Sequence, residues 1–308
     1  MFVLILTLEN RKTMPRTWKD FNKNTRMAET AKLTLSSTAT LNDGRKIPLI
    51  GLGVYQAPKG DTTQNAVTWA LEAGYRHIDT AALYKNEADV GIAVNKSGIP
   101  REEIWITTKI WDSDQGYEKT LQAAERSLEK LQSEYIDLLI LHSPLRGSQL
   151  RKESYDALQQ LVRLGKVKSI GVSNYSVKHL KELLEQKPEI KPTVNQVEIH
   201  PWLTRNDITT FCLQNDIVVE AYSPLTKGKK LKDPTLVQIA ERYNKSSAQI
   251  LIRWGLQHGF VTLPKSINKD RIIQNTDVYD FEIREEDMKI LDDLDEYLTT
   301  GWDPTTCE

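Results

Sequence analysis

The sequence predicts an α/β protein, an eight-stranded parallel (β/α)8 TIM barrel preceded by a β-hairpin and carrying extra helices. Three observations lead there. Eight short apolar runs alternate with amphipathic stretches, the pattern of parallel βα units. These repeats fill about 250 residues, the usual span of a closed eightfold barrel. The rival doubly wound dinucleotide fold needs GxGxxG after its first strand; Gly51-Leu52-Gly53 begins that pattern, but Gln56 stands at the third glycine.

The first regular segment reads as a small hairpin. Leu33-Thr34-Leu35 and Thr38-Ala39-Thr40-Leu41 are joined by Ser36-Ser37, and an Asn42-Asp43-Gly44 turn signal follows. The barrel strands fall at residues 49–54, 75–79, 104–110, 136–142, 167–172, 193–200, 217–222 and 260–265. Between them, residues 62–72, 117–130, 155–164, 176–185 and 235–243 carry apolar side chains three and four apart, which places them on one helix face. Two further helical patterns, 246–257 before the last strand and 285–294 near the end, exceed a minimal barrel.

With 308 residues, 39% hydrophobic and 27% charged, the chain can bury a full core in one domain. A formal charge of -1 leaves no cationic excess for a phosphate backbone, which argues against nucleic acid as a partner. Cys212 and Cys307 form no CxxC pair, so neither a disulfide framework nor a metal site is expected, and a reducing cytoplasm fits. Residues 2–8 are apolar but far short of the roughly 20 that cross a bilayer. No basic n-region or small-residue cleavage site accompanies them, so no membrane anchor or signal peptide is expected. Residues 1–32 read as a disordered N-terminal extension, dispensable up to Met27, and residues 33–308 as the barrel domain.

Barrels of this kind carry their chemistry at the C-terminal ends of the strands. Gly74-Tyr75-Arg76-His77-Ile78-Asp79-Thr80-Ala81-Ala82-Leu83-Tyr84 closes one strand and delivers a carboxylate and a phenol a few residues apart. Thr107-Thr108-Lys109 ends the next strand and Leu141-His142-Ser143-Pro144 the one after. A phenol with an ordinary pKa near 10 keeps its proton at neutral pH and can give it to a developing alkoxide, which makes Tyr84 the candidate acid. An ammonium beside it lowers the phenol towards the working range, and a paired carboxylate keeps that ammonium in place; Lys109 and Asp79 suit these roles. His142, if neutral, can donate a hydrogen bond that orients a carbonyl oxygen. Each residue alone has a plain explanation as an ion pair or a packing ring, and the joint placement at three consecutive strand ends is what sets them apart. His77 and His200 also flank strands but show no chemical partner in the sequence. At the end of the eighth strand, Lys265 with Arg271 in the opening turn of a helix forms a cationic anion site, or more plainly a solvated basic stretch.

These strand ends, with Gly171-Val172-Ser173-Asn174, resemble the active site of the aldo-keto reductase superfamily, over nearly everything from Leu33 to Leu294. The likeness is to compact fungal and bacterial members. It implies NADPH-dependent reduction of aldehydes and ketones to alcohols, with Asp79, Tyr84, Lys109 and His142 as the catalytic tetrad. By the same resemblance Ser173, Asn174 and Gln196 would hold the nicotinamide carboxamide, and Tyr222 would stack on the nicotinamide ring. Ser223 and Leu225 would contact the pyrophosphate, and Lys265, Ser266, Asn268 and Arg271 the adenosine 2′-phosphate, favouring NADPH over NADH. Gln274 stands where many relatives carry Glu near the adenine; its amide oxygen can still accept from the adenine amino group, with Asn275 beside it.

The sequence departs from that family pattern around the substrate. Ser143 and Tyr55 occupy positions that are Trp in many relatives, and residues 145–150 are short where animal aldose reductases insert a long loop. Trp111 and Trp302 are candidate pocket walls, with Trp202 equally suited to packing. The resulting expectation is a widened pocket whose size Ser143 sets. The implied partner is a small carbonyl compound and the implied state a monomer. Two other readings stay open, a Schiff-base aldolase-type barrel acting through Lys109 and a non-catalytic NADPH-binding, redox-sensing subunit.

Overall fold

The barrel closes by pairing its last strand with its first. The structure, a computed structural model, describes residues 32–308, and the reading of the N-terminal extension lies outside the described residues. The parallel strands β3 (Leu52–Gly53), β4 (His77–Asp79), β5 (Trp105–Ile110), β6 (Ile136–Leu141), β7 (Val167–Ser173), β8 (Val194–Glu198), β9 (Val218–Tyr222) and β10 (Val261–Leu263) neighbour one another in chain order. Bridges Ile50–Thr262 and Gly53–Lys265 join the two ends of that sheet, with Gly51 N donating to Thr262 O at 3.0 Å and Gly53 N to Pro264 O at 3.1 Å. This seam requires glycine: a Cβ on Gly51 would lie 2.7 Å from His77 Nδ1 and 2.8 Å from Leu263 Cδ2.

Every residue of β4, β5, β6, β8 and β10 is buried, as expected for strands packed inside by barrel side chains and outside by helices. The enclosing helices are α1 (Asp61–Glu72), α2 (Glu87–Lys96), α3 (Tyr117–Leu131), α4 (Gly147–Arg163), α5 (Val177–Glu185), α6 (Asn206–Gln214), α7 (Pro234–Arg242) and α8 (Ser247–Gln257), followed by α9 (Lys269–Gln274) and α10 (Glu285–Asp292). Their starts obey local chemistry. Asp233 accepts from Thr235 N and Leu236 N with Pro234 in the first turn of α7, and Ser246 with Gln249 forms a capping box on α8.

Two sequence expectations need correction. The hairpin pairs Thr38–Thr40 (β1) with Lys46–Pro48 (β2) across the Asn42-Asp43-Gly44 turn; residues 33–35 form no strand. Instead Ser37 N bonds to Thr34 O at 3.0 Å and Ser37 Oγ accepts from Thr34 N at 2.9 Å, a local turn that competes with extended pairing. Helix α4 begins at Gly147, so residues 147–150 belong to a helix where a short loop was expected. Its inward positions include Arg151 and Ser154, polar residues that hide the apolar period. Helices α2 and α6 carry only a weak apolar period in the sequence because small and polar residues fill much of their buried faces, Glu87 and Gly91 in one and Thr209 and Cys212 in the other. Among the described residues no helix is long and apolar enough to cross a membrane, and no cluster of His, Cys, Asp and Glu suited to a metal occurs.

Candidate active site

Asp79 closes β4, and the loop beyond it is tied down by its own polar residues. Thr80 Oγ1 donates to Asn86 Oδ1 at 2.9 Å, and Asn86 Nδ2 donates to Val54 O at 3.0 Å, all buried. Within this clasp a single 3-10 turn, Ala82–Tyr84, ends at left-handed Lys85 (φ 58°) and presents Tyr84 to the barrel mouth. Lys109, the penultimate residue of β5, donates to both oxygens of Asp79 (2.8 and 2.7 Å) and to Thr80 O (2.8 Å). Its Nζ lies 4.9 Å from the Tyr84 ring centroid. The His142 ring stands edge-on to Tyr84 at 5.8 Å and to Trp111 at 5.0 Å, and Tyr55 packs on Tyr84 at 4.9 Å.

Burial sets the protonation states. It pushes the His142 imidazole down to about 3, with Lys109 adding to the effect, so the ring is neutral at pH 7. It pushes the Tyr84 phenol well above the ordinary tyrosine value, with the Asp79 carboxylate next in importance. This corrects the expectation that Lys109 lowers Tyr84. All three hydrogen bonds of the ammonium go to Asp79 and Thr80, which leaves the phenol dominated by desolvation. Tyr84 is therefore a firmly protonated group beside a neutral imidazole.

A cleft of about 810 Å³ opens over these residues, and Asp79, Tyr84 and His142 line it. From β7 and β8 it is lined by Ser173, Gln196 and the adjoining Asn174, from the end of β9 by Tyr222, Ser223 and Leu225, and beyond β10 by Lys265, Ser266, Asn268, Arg271, Gln274 and Asn275. Tyr222 Oη donates to Asn174 Oδ1 at 2.9 Å, and Asn174 Nδ2 donates to His142 O and Ser173 Oγ, both at 3.0 Å. Asn174 holds its place in the left-handed region (φ 62°), where Asn is tolerated. Asn268 caps α9 by accepting from Arg271 N at 3.0 Å. Neither Lys265 nor Arg271 pairs with an acidic side chain among the described residues, and partial burial lowers the Lys265 ammonium.

Tyr55, Trp111 and Trp302 line the same cleft, whereas Ser143 does not reach it. Ser143 is fully buried, donates to Asp112 Oδ1 at 2.6 Å, and its carbonyl accepts from Gln115 Nε2 at 2.8 Å. Its hydroxyl anchors the turn that carries Trp111, so the expectation that Ser143 sets pocket size is wrong in mechanism. Trp202 is buried away from the cleft. The C-terminal segment bearing Trp302 is strapped down: Thr300 N donates to Glu198 Oε1 at 3.0 Å, and Arg205 Nη2 to Asp303 Oδ1 at 2.8 Å.

The aldo/keto reductase family model matches residues 49–296, the whole barrel and the start of its C-terminal segment. The chain belongs to the aldo/keto reductase family. A glyoxal reductase of Bacillus subtilis is 49% identical over 271 residues, 88% of this chain and 97% of the relative. The 9,11-endoperoxide prostaglandin H2 reductase of Trypanosoma cruzi is 50% identical over 268 residues, 86% and 94% of the two chains. Among solved structures, an aldo-keto reductase from a Medee basin deep-sea metagenome library superposes with a TM-score of 0.84 at 43% identity, covering 88% of this chain and all of that one (100%). A Bombyx mori aldo-keto reductase in complex with NADP gives 0.80 at 33% identity, covering 87% and 95%.

This aldo/keto reductase also uses residues that the sequence did not single out. Asn86 of the clasp reaches back to Val54, and the strap carboxylate Glu198 to Thr300, through tertiary contacts. A second barrel carboxyl, Glu220 on β9, accepts from Gln196 Nε2 at 2.6 Å, while the same nitrogen donates to Asp79 Oδ2 at 2.8 Å. Its position just before Ala221-Tyr222-Ser223-Pro224-Leu225 was the only available signal.

Proposed function

We propose that the protein is an NADPH-dependent reductase of aldehydes and ketones in which Tyr84 supplies the proton. The observation that carries this reading is the meeting of a half-buried, protonated phenol, a neutral imidazole and a buried Lys109–Asp79 pair at one cleft. A volume of about 810 Å³ lies near the upper end of the roughly 300 to 1,000 Å³ common for ligand sites. Lys265 and Arg271 supply cationic groups for an anionic ligand at one part of that cleft, which suits a 2′-phosphorylated dinucleotide. NADPH, when bound, supplies a hydride to the carbonyl carbon.

The chain's own residues then do the rest. His142, neutral, offers an N–H to the carbonyl oxygen and fixes which way the substrate points. Tyr84 Oη gives its proton to the oxygen as negative charge develops there. Lys109 and Asp79 hold the Tyr84 ring from behind. Gln196 commits both amide hydrogens to Asp79 and Glu220, so Oε1 is the atom it can offer to a carboxamide N–H. The Schiff-base reading is disfavoured because Lys109 is 1% exposed with every hydrogen bond directed at Asp79 and Thr80.

Small dicarbonyls head the substrate panel, since one relative is named a glyoxal reductase. The test is carbonyl-dependent NADPH oxidation across dicarbonyls, sugars and β-keto esters. Tight NADPH binding without turnover on any of them favours a binding subunit, and borohydride trapping of a substrate on Lys109 favours the aldolase reading.

A further inference from the structure

Glu220 is a carboxyl with no exposed surface, set in the barrel interior on β9 beneath the cleft. Its Oε2 accepts from Gln196 at 2.6 Å; its Oε1 lies 3.5 Å from His77 Nε2 and makes no hydrogen bond. The groups around it are Asp79 and His77 from β4, Lys109 from β5, Gln196 from β8 and the Tyr84 ring. The neighbouring strand β10, Val261–Leu263, and the strand beyond it at the barrel seam, β3, Leu52–Gly53, bring no titratable side chain. One cation thus faces two carboxyls, and Asp79 already holds that cation in two hydrogen bonds.

We propose that Glu220 is a positioning residue that works as a neutral acid: it pins the Gln196 amide so that Oε1 faces the cleft, and the Oε1 proton of Glu220 points at His77. The proposal deepens the reductase reading and rests on it for the role of Gln196. A second buried carboxylate would lack a counter-charge, which is costly in a low-dielectric interior. Burial, reinforced by Asp79, pushes Glu220 up to about 8, and burial pushes His77 down to about 3, so the proton resides on the carboxyl at neutral pH. His77 Nε2, already 2.9 Å from Thr107 Oγ1, is a neutral ring that faces the acid. Above pH 8 the acid ionises, placing a negative charge beside Asp79 that holds the Tyr84 proton more tightly.

Glu220→Gln reproduces the neutral acid in shape and hydrogen bonding, because an amide can accept from Gln196 and donate toward His77. Glu220→Leu removes the anchor. Infrared difference spectra of wild type minus Glu220→Gln at pH 7 are expected to show the carbonyl band of a protonated carboxyl that disappears as the pH passes 8. Binding of NADPH, followed by its fluorescence, is expected to be unchanged within about threefold in Glu220→Gln and about tenfold weaker in Glu220→Leu, the loss of one hydrogen-bonded anchor. Absence of the protonated-carboxyl band at pH 7 overturns the neutral-acid claim, whether or not the protein binds cofactor. Wild-type affinity in folded Glu220→Leu overturns the positioning claim; if Glu220→Leu does not fold, a tenfold loss in Glu220→Gln at pH 7 does so. Failure of the wild type itself to bind NADPH refutes the reductase reading instead, and with it the role of Gln196.

Discussion

Lys109 sits behind Tyr84 with its ammonium gripped by both oxygens of Asp79, 4.9 Å from the phenol ring centroid. The pair is buried, with Lys109 1% and Asp79 4% exposed, so removing one partner strands a charge. Lys109→Met is expected to lower stability by about 3 to 5 kcal/mol, the usual consequence of breaking a buried pair. Tyr84→Phe leaves that pair intact. It is expected to cut kcat by about 10² or more, the lower range for general acid catalysis, with NADPH affinity preserved. Denaturant titration and single-turnover kinetics separate the two, and equal destabilisation by both variants contradicts the assignment.

Arg271 lies in the first turn of α9 and is exposed at the cleft. Arg271→Ala is expected to weaken NADPH binding by roughly 10- to 100-fold, the worth of a charged hydrogen bond, and to leave NADH binding unchanged. Titration calorimetry with both cofactors decides, and equal losses show that Arg271 does not read the 2′-phosphate.

Ser143→Trp forces an indole into a site where the hydroxyl is bonded to Asp112 and nothing is exposed. Overpacking of this kind costs about 1 to 3 kcal/mol. A lower Tm is expected, with kcat/KM falling alike for small aldehydes and bulky ketones because the Trp111 turn shifts as a whole. A loss confined to bulky ketones would show that position 143 reaches the substrate after all.

Three buried groups set opposite trends with pH. His77 and His142 titrate at about 3 when folded and 6.5 when unfolded, so the unfolded chain takes up more protons in between and stability falls as pH drops from 6.5 towards 3. Glu220 titrates at about 8 folded and 4.5 unfolded, so the folded chain keeps its proton longer and stability falls as pH rises from 4.5 to 8. Two histidines outweigh one glutamate below 6.5, and only the glutamate acts above it. A stability maximum near pH 6.5 is expected in urea titrations, and Glu220→Gln should flatten the side between 6.5 and 8. A decline that persists in Glu220→Gln assigns the effect to another group.

The order of strands, the barrel they close and the residues at their ends were legible from local pattern, because apolar period and strand-end chemistry are properties of adjacent residues. Asp79, Lys109 and His142 sit at or beside the ends of β4, β5 and β6, where that pattern put them. Helices α2 and α6 were not legible, since buried Glu87 and Thr209 read as surface residues until their partners are known. Ser143 misled for the same reason: sequence places it next to His142, but only the packed chain shows its hydroxyl turned to Asp112 and away from the cleft. The direction of the Tyr84 shift depended on where the Lys109 hydrogens point, and the Glu220–Gln196–Asp79 link joins β8 and β9 to β4, 117 residues before Gln196. Charge and hydrogen-bond energy inside a barrel depend on burial and on partners across the sheet, and these exist only after the strands close.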